Sequence, residues 1–322
     1  MGRLVRRLRF LRPVDALTIT FALFLSVICL VIAPHLSLWF CIICINVLAS
    51  AGVIVFAQIA AGATDPSKLN VLQPGNPFLK IVYDWYPAPL VFLSYKEIYL
   101  VLQAVGMPDR DNVLIAIDRW IFGVHPTVWL YQFATPVVTE ILEIAYASFY
   151  ILMLVTGLEP YVRRENGKFN FFIFTFLYGF FLSYIGYLLV PGVGPRFTLH
   201  DFSALKDELP GIFCTDAIRD FLNAGESIPR NAANAIATVQ RDVFPSGHTQ
   251  MTLIVIYLAA KFKLRTRYFL FVFGTLLIIA TVYLRYHYVV DLIAGAMFMV
   301  FTVWSAPKLY AWWERFRTHI EP

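Results

Sequence analysis

The chain has 322 residues, 59% of them hydrophobic and 15% charged, with a net charge of +5. Soluble domains average about 45–50% apolar and about 25% charged residues, so this composition excludes an ordinary soluble protein and points to a polytopic membrane protein. The positive balance does not imply nucleic-acid binding, because the basic residues sit in short clusters between apolar segments, as a topology signal does.

Met1 to Arg12 carries five arginines ahead of the apolar run 14–34. That run is longer than the roughly 7–15 residues of a signal-peptide core, so an uncleaved first span is expected. Arg6 stands where a myristoylation signal requires Ser or Thr, which implies no lipid anchor. A second span is expected at 37–60. Cys41-x-x-Cys44 has redox or zinc spacing but no companion His or Cys pair, and reads as membrane packing. The stretch 62–80, with Asp65-Pro66 and Pro74-Gly75-Asn76-Pro77, reads as a polar connection.

A weaker span, 86–105, is interrupted by Lys96 and Glu97, which are either substrate contacts or members of structural pairs. Residues 106–133 are too charged at their start to span. Ile115 to Trp129 reads as an interfacial amphipathic helix with Trp120 and Trp129 at headgroup level, and Asp118, Arg119 and His125 belong to it and its turn. Further spans are expected at 134–157, 169–190, 249–264, 268–286 and 288–305. The basic clusters at 3–12, 163–168, 261–267 and 308–317 fall on one, cytoplasmic, side only if 86–105 also crosses, for eight spans in all. The loop 191–246 and the ends of its flanking spans then lie on the non-cytoplasmic face. The expected fold is all-α: a polytopic helical bundle with an N-terminal membrane region, 1–133, and a catalytic bundle, 134–322.

Phe244-Pro245-Ser246-Gly247-His248-Thr249 and His287-Tyr288-Val289-Val290-Asp291 each place a histidine at the edge of an apolar segment. A histidine there is costly unless it finds a partner or does chemistry. On a helix, His287 and Asp291 would share a face, so that the carboxylate holds one ring nitrogen. The Pro-Ser-Gly turn leads into an apolar run whose free N–H groups favour an anion. Two histidines beside an anion cradle describe a phosphate-ester site. A zinc site is disfavoured, since His-x-x-x-Asp supplies two ligands and zinc takes three or four.

These motifs, with Gly194-Pro195-Arg196 upstream and Gly295 downstream, resemble the signatures of the phosphatidic-acid-phosphatase type 2 superfamily. The resemblance covers 169–305 well and the N-terminal half loosely. It implies the six-helix core of that family plus extra N-terminal helices, and membrane lipids as substrates. It also implies a two-step transfer: His287 forms a phosphohistidine, Asp291 orients its ring and His248 moves the proton. Ser246, Gly247 and Arg196 would hold phosphate oxygens. No metal or cofactor is required by this scheme, and nothing in the chain sets an oligomeric state.

The departures are informative. The family's first motif is Lys, six residues, then Arg-Pro, whereas this chain has Leu189 in the lysine position and Phe197 after Arg196. Thr281 stands where the third motif usually has arginine. Arg285, which on a regular helix would point away from His287, and Arg230 and Arg241 in the preceding loop are the candidate substitutes. A missing third-motif arginine with His-Tyr-x-x-Asp retained is similar to the sphingolipid branch of inositol phosphorylceramide and sphingomyelin synthases. Lipid phosphotransfer is therefore preferred to hydrolysis of a lipid phosphate such as phosphatidate or a polyprenyl pyrophosphate. A transporter is the non-enzyme alternative, but the chain shows neither a repeat nor midplane charges in its last three spans.

Overall fold

In the computed structural model, residues 8–62, 77–229 and 234–319 are described. The arginines before Leu8, most of the connection 62–80 and Arg230 lie outside them. All regular structure among the described residues is helical. Among the described residues thirteen helices organise the fold: α1 (Pro13–Val31), α2 (Trp39–Gly62), α3 (Pro77–Trp85), α4 (Pro87–Val105), α5 (Asp111–Phe122), α6 (Pro126–Leu130), α7 (Pro136–Ala147), α8 (Phe149–Val162), α9 (Asn166–Leu189), α10 (Thr215–Gly225), α11 (Gly247–Lys261), α12 (Arg267–Tyr283) and α13 (Val289–Thr318). Short single turns complete the loops.

The boundaries have local causes. Proline opens α1, α4, α6 and α7, where its missing N–H is no loss and its fixed φ suits a first turn. Thr135 caps α7 by accepting from the Val138 amide, and Gly106 and Gly123 close α4 and α5 in the left-handed conformation.

By length and composition, α1, α2, α3–α4 together, α9 and α13 can cross a membrane. The pairs α5–α6, bent by 65°, and α7–α8, bent by 46°, each qualify as one broken span. This gives five to seven spans, against the eight expected. Six of the eight expected spans are among these, and α5–α6, in a stretch expected to be interfacial, is the seventh candidate. The other two, α11 and α12, with 15 and 17 residues, are short of the roughly 20 a span requires. Helix α11 starts and α12 stops where the backbone turns to form the histidine loops, and that shortens both. The connection expected at 62–80 holds α3 in its last part, and the helix expected at 115–129 breaks at Gly123.

The chain forms two compact units. One comprises Met1–Gly106, Asn166–Phe181 and Thr302–Pro322, the other Met107–Glu165 and Leu182–Phe301. In the first, α1 packs along α2, and Phe21 stacks on Phe181 with ring centroids 3.7 Å apart. Its polar centre is Asp15, fully buried, which accepts from the Arg12 guanidinium, from Tyr83 Oη at 2.8 Å and from Tyr86 Oη at 2.6 Å. Arg12 also reaches Asp84 at 3.3 Å and the Tyr83 carbonyl at 2.7 Å. Buried Glu97 accepts from Asn46 Nδ2 at 3.1 Å, so this carboxylate of the 86–105 segment has a structural partner in its own unit.

In the second unit α12 packs against α7, α8 and α11, while α10 lies on α7. Glu159 at the end of α8 ties down the start of α12, accepting from the Arg265 amide at 2.7 Å and from Thr266 Oγ1 at 2.7 Å.

Removing Asp15 leaves the buried Arg12 charge short of its main acceptor, which typically costs about 3–5 kcal/mol. Asp15→Ala is expected to lower the thermal midpoint of the detergent-solubilised protein sharply, whereas Asp15→Asn, which keeps the size and one acceptor, should lower it less.

Candidate active site

The two histidines come from two backbone turns, both in the second unit. Ser246 caps α11, its Oγ accepting from the Thr249 amide at 3.2 Å, and so sets His248 in the first turn. A side chain at Gly247 would collide with the Tyr187 hydroxyl, and one at Gly295 would come within 2.6 Å of the Ser246 carbonyl. These glycines let α9 and α13 approach the turn closely. The Ser246 amide donates to the Asp291 carbonyl at 3.0 Å, joining the two motifs directly.

His287 is not helical, contrary to the shared-face geometry expected from its spacing to Asp291. Helix α12 ends in a Schellman-type turn: the Tyr286 and His287 amides both donate to the Thr281 carbonyl, and Arg285 takes a left-handed φ of 68°. His287 then lies in the link before α13, 95% buried. Its Nδ1 is 2.9 Å from the Val243 carbonyl and 3.5 Å from Asp291 Oδ2. The carbonyl is therefore the ring's hydrogen-bond acceptor. Asp291 Oδ2 instead accepts from the Tyr288 amide at 2.8 Å, as an N-terminal cap of α13.

The imidazoles of His248 and His287 approach with centroids 5.7 Å apart. His248 is packed between Tyr146, at 4.7 Å and nearly stacked, and Phe149, at 4.3 Å. Tyr146 stacks in turn on Tyr286 at 4.2 Å. Burial pushes the His287 imidazole down to about 4, against the opposing pull of Asp242 and the Val243 hydrogen bond. It is neutral at ordinary pH, and with Nδ1 engaged its Nε2 carries the lone pair.

The candidate cations separate. Arg196, on the turn Pro195–Thr198, is buried with its guanidinium carbon 4.6 Å from the Tyr286 ring centroid, and its charge acts on both histidines. It pairs with Glu226 and hydrogen-bonds Asn223. Arg285 turns elsewhere: it pairs with Glu208, lies 5.4 Å from the Tyr131 ring, and acts on His200. Arg241 is held by the Val239 and Ile236 carbonyls and by Asp109. Thr281 is fully buried within α12, and Leu189 is exposed.

Two carboxylates on α5 hold this arrangement together: Asp111, which the sequence did not single out, and Asp118, expected to belong to an interfacial helix. Asp111 accepts from the Val193 amide at 3.0 Å, the Gly194 amide at 2.8 Å and Tyr288 Oη at 2.8 Å. Asp118 accepts from the amides of Val289 and Val290 at 2.8 and 2.7 Å, capping α13. Both are almost wholly buried, at 3% and 2% exposed. Seven positions apart, they lie on one face of the helix, and that periodicity was the available signal. Asp111 thus ties the Arg196 loop to the turn that follows His287.

Residues 112–305 match the family model of the PAP2 superfamily. The chain belongs to this superfamily. Its members' chemistry makes it a membrane enzyme of the phosphatase or phosphotransferase type. Neither a curated protein nor a solved structure matches it.

Removing Asp118 takes the cap from the helix that follows His287, a loss of about 1–2 kcal/mol. Asp118→Ala is expected to lower kcat at least tenfold with little change in KM. Asp118→Asn, which keeps one acceptor, should fall between it and the parent in steady-state assays.

Proposed function

We propose that this PAP2 enzyme transfers a phosphoryl or phospho-headgroup from a membrane phospholipid to a lipid alcohol through a phosphohistidine on His287. The observation that carries the reading is the pair of imidazoles 5.7 Å apart, one with its Nδ1 held by a backbone carbonyl.

In the first step the Nε2 lone pair of His287 forms the N–P bond, and the bond to the leaving oxygen breaks as that oxygen takes a proton from His248. The His248 imidazolium is disfavoured by burial and by the charge of Arg196 and favoured by the negative charge of the bound phosphate. In the second, the acceptor hydroxyl attacks phosphorus and its proton passes to His248. The N–P bond breaks and its electron pair returns to Nε2. Asp291 steadies the backbone beside His287 and adds a carboxylate near Nδ1. Ser246 and Gly247 shape the turn that presents His248, and Arg196 offsets charge on the phosphate.

Two features favour transfer over hydrolysis. Tyr146 and Phe149 wall His248 with aromatic surface, which excludes water and suits an amphiphilic acceptor. The charge of Arg196 is balanced by Glu226, and that of Arg285 is spent on Glu208. Among the described residues, the pairing of Arg196 and Arg285 suits a phosphodiester donor, with one negative charge, over a phosphomonoester with about −1.5 to −2. This pattern supports placement near the inositol phosphorylceramide and sphingomyelin synthases, and hence a role in sphingolipid-type metabolism. With α11 and α12 also counted as crossings, the basic clusters fall on one side and favour a site on the non-cytoplasmic face.

Purified enzyme given a phospholipid donor with and without a lipid alcohol distinguishes the two reactions. Headgroup transfer that requires the alcohol is expected, and phosphate release without it would make the enzyme a hydrolase. His287→Ala should abolish turnover and covalent phosphate labelling, and His248→Ala should slow turnover by about two to four orders of magnitude. Because His287 attacks only when neutral, kcat/KM should fall as pH drops through about 4 rather than near 6.5. An acid limb at 6–7 would contradict the buried, neutral nucleophile.

A further inference from the structure

The loop between Leu209 and α10 ends in a projecting apolar tip. Phe213 is 92% exposed and Ile212 is 47% exposed. Such a tip on a soluble loop would be a liability, yet this one is held firmly. The carboxylate of Glu140, in the second turn of α7, accepts from the amides of Ile212 at 2.8 Å, Phe213 at 3.3 Å and Cys214 at 2.7 Å. It also accepts from Thr215 Oγ1 at 2.6 Å and Cys214 Sγ at 2.8 Å. Three successive backbone N–H groups are thereby satisfied within the protein, as a backbone entering a water-poor layer requires.

Glu140 also fixes the depth of the tip. It lies four residues into α7, about 6 Å along the axis from Pro136 at 1.5 Å per residue. On that helix Val137, Ile141 and Ile144, spaced as one stripe, are 56%, 49% and 43% exposed, and α7 with α8 is long and apolar enough for one broken span or a re-entrant loop. Just before α7, Trp129, Tyr131 and Phe133 are each about half exposed, as an aromatic belt at a membrane boundary is. Through Glu140 the tip is thus joined to the helix that carries this exposed apolar stripe, close to the exposed aromatic cluster before it.

We infer that Ile212 and Phe213 form an interfacial anchor that inserts into the bilayer beside α7. The partner is the lipid surface itself. The anchor leads directly into α10, whose Asn223 holds Arg196, so insertion would restrain the element that supports this cation. The inference rests on exposure and hydrogen bonding, apart from any role of the histidines.

A nitroxide at Phe213→Cys tests it. The background would carry Ala for Cys29, Cys41 and Cys44 and Ser for Cys214, with the protein in phosphatidylcholine vesicles. Collisions with oxygen should exceed those with a water-soluble nickel chelate at 213 and at Ile212→Cys. The reverse is expected at the control position Asp207→Cys, on the same outer loop. Preferential access to nickel at 213 would show that the tip is in water, and shielding from both reagents would show a protein contact such as a second copy. Either result overturns the anchor. Should the cysteine-replaced background not fold, Phe213→Trp in the native chain gives the same answer: added fluorescence that bromolipids quench supports insertion, and unquenched added fluorescence refutes it.

Discussion

A single backbone carbonyl governs the candidate site. Val243 accepts the Nδ1 proton of His287, which settles the tautomer and leaves the lone pair on Nε2 of a ring whose centroid is 5.7 Å from that of His248. That contact exists only if two turns far apart in the chain are held side by side. The Ser246 amide on the Asp291 carbonyl supplies one tie, and the Arg196 amide on the Arg285 carbonyl supplies another. Every other feature of the site follows from keeping these turns in register.

The protein keeps them there with buried carboxylates spent on backbone amides. Asp111, Asp118 and Asp291 each accept from main-chain N–H groups at a turn or helix start, where those donors lack helical partners. Glu140 does the same for the loop tip before α10, and Glu159 for the start of α12. In a protein surrounded by lipid, a side chain that satisfies several such donors replaces the water that would otherwise do so. The same economy reaches the arginines, which are matched by Glu226 and Glu208. In the proposed reaction a phosphate group between the histidines would meet modest positive charge from the described arginines, and the proposed preference for a phosphodiester follows from that.

Much of this was legible from residue order. The long apolar helices declared themselves by composition, because burying about twenty residues in hydrocarbon leaves little room for charge. The paired histidine motifs stood out because imidazoles at the edges of apolar runs are rare without a purpose, and Arg196 was identifiable from the shaped Gly-Pro loop before it. Reading His287 and Asp291 as one helix face failed, since a Schellman-type ending of α12 takes the chain out of helical geometry just there. Arg285 looked like a substitute cation by proximity in sequence, but its left-handed backbone directs it to Glu208. Asp118 looked like part of an interfacial helix and Asp111 drew no reading, because the spacing that puts both on one face does not show that they accept from amides more than eighty positions away.

Local chemistry thus determined what is periodic or contiguous: an all-helical membrane protein, the helix caps, the glycines that permit close approach, and the identity of the two imidazoles. Tertiary structure alone decided which acceptor holds His287, which arginine stands near it, and that α5 belongs to the site's framework. The division has a physical cause. Hydrophobic burial and capping depend on residues within a few positions of one another, whereas a hydrogen bond such as that from His287 to Val243 depends on how separate segments pack, and no local pattern encodes that distance.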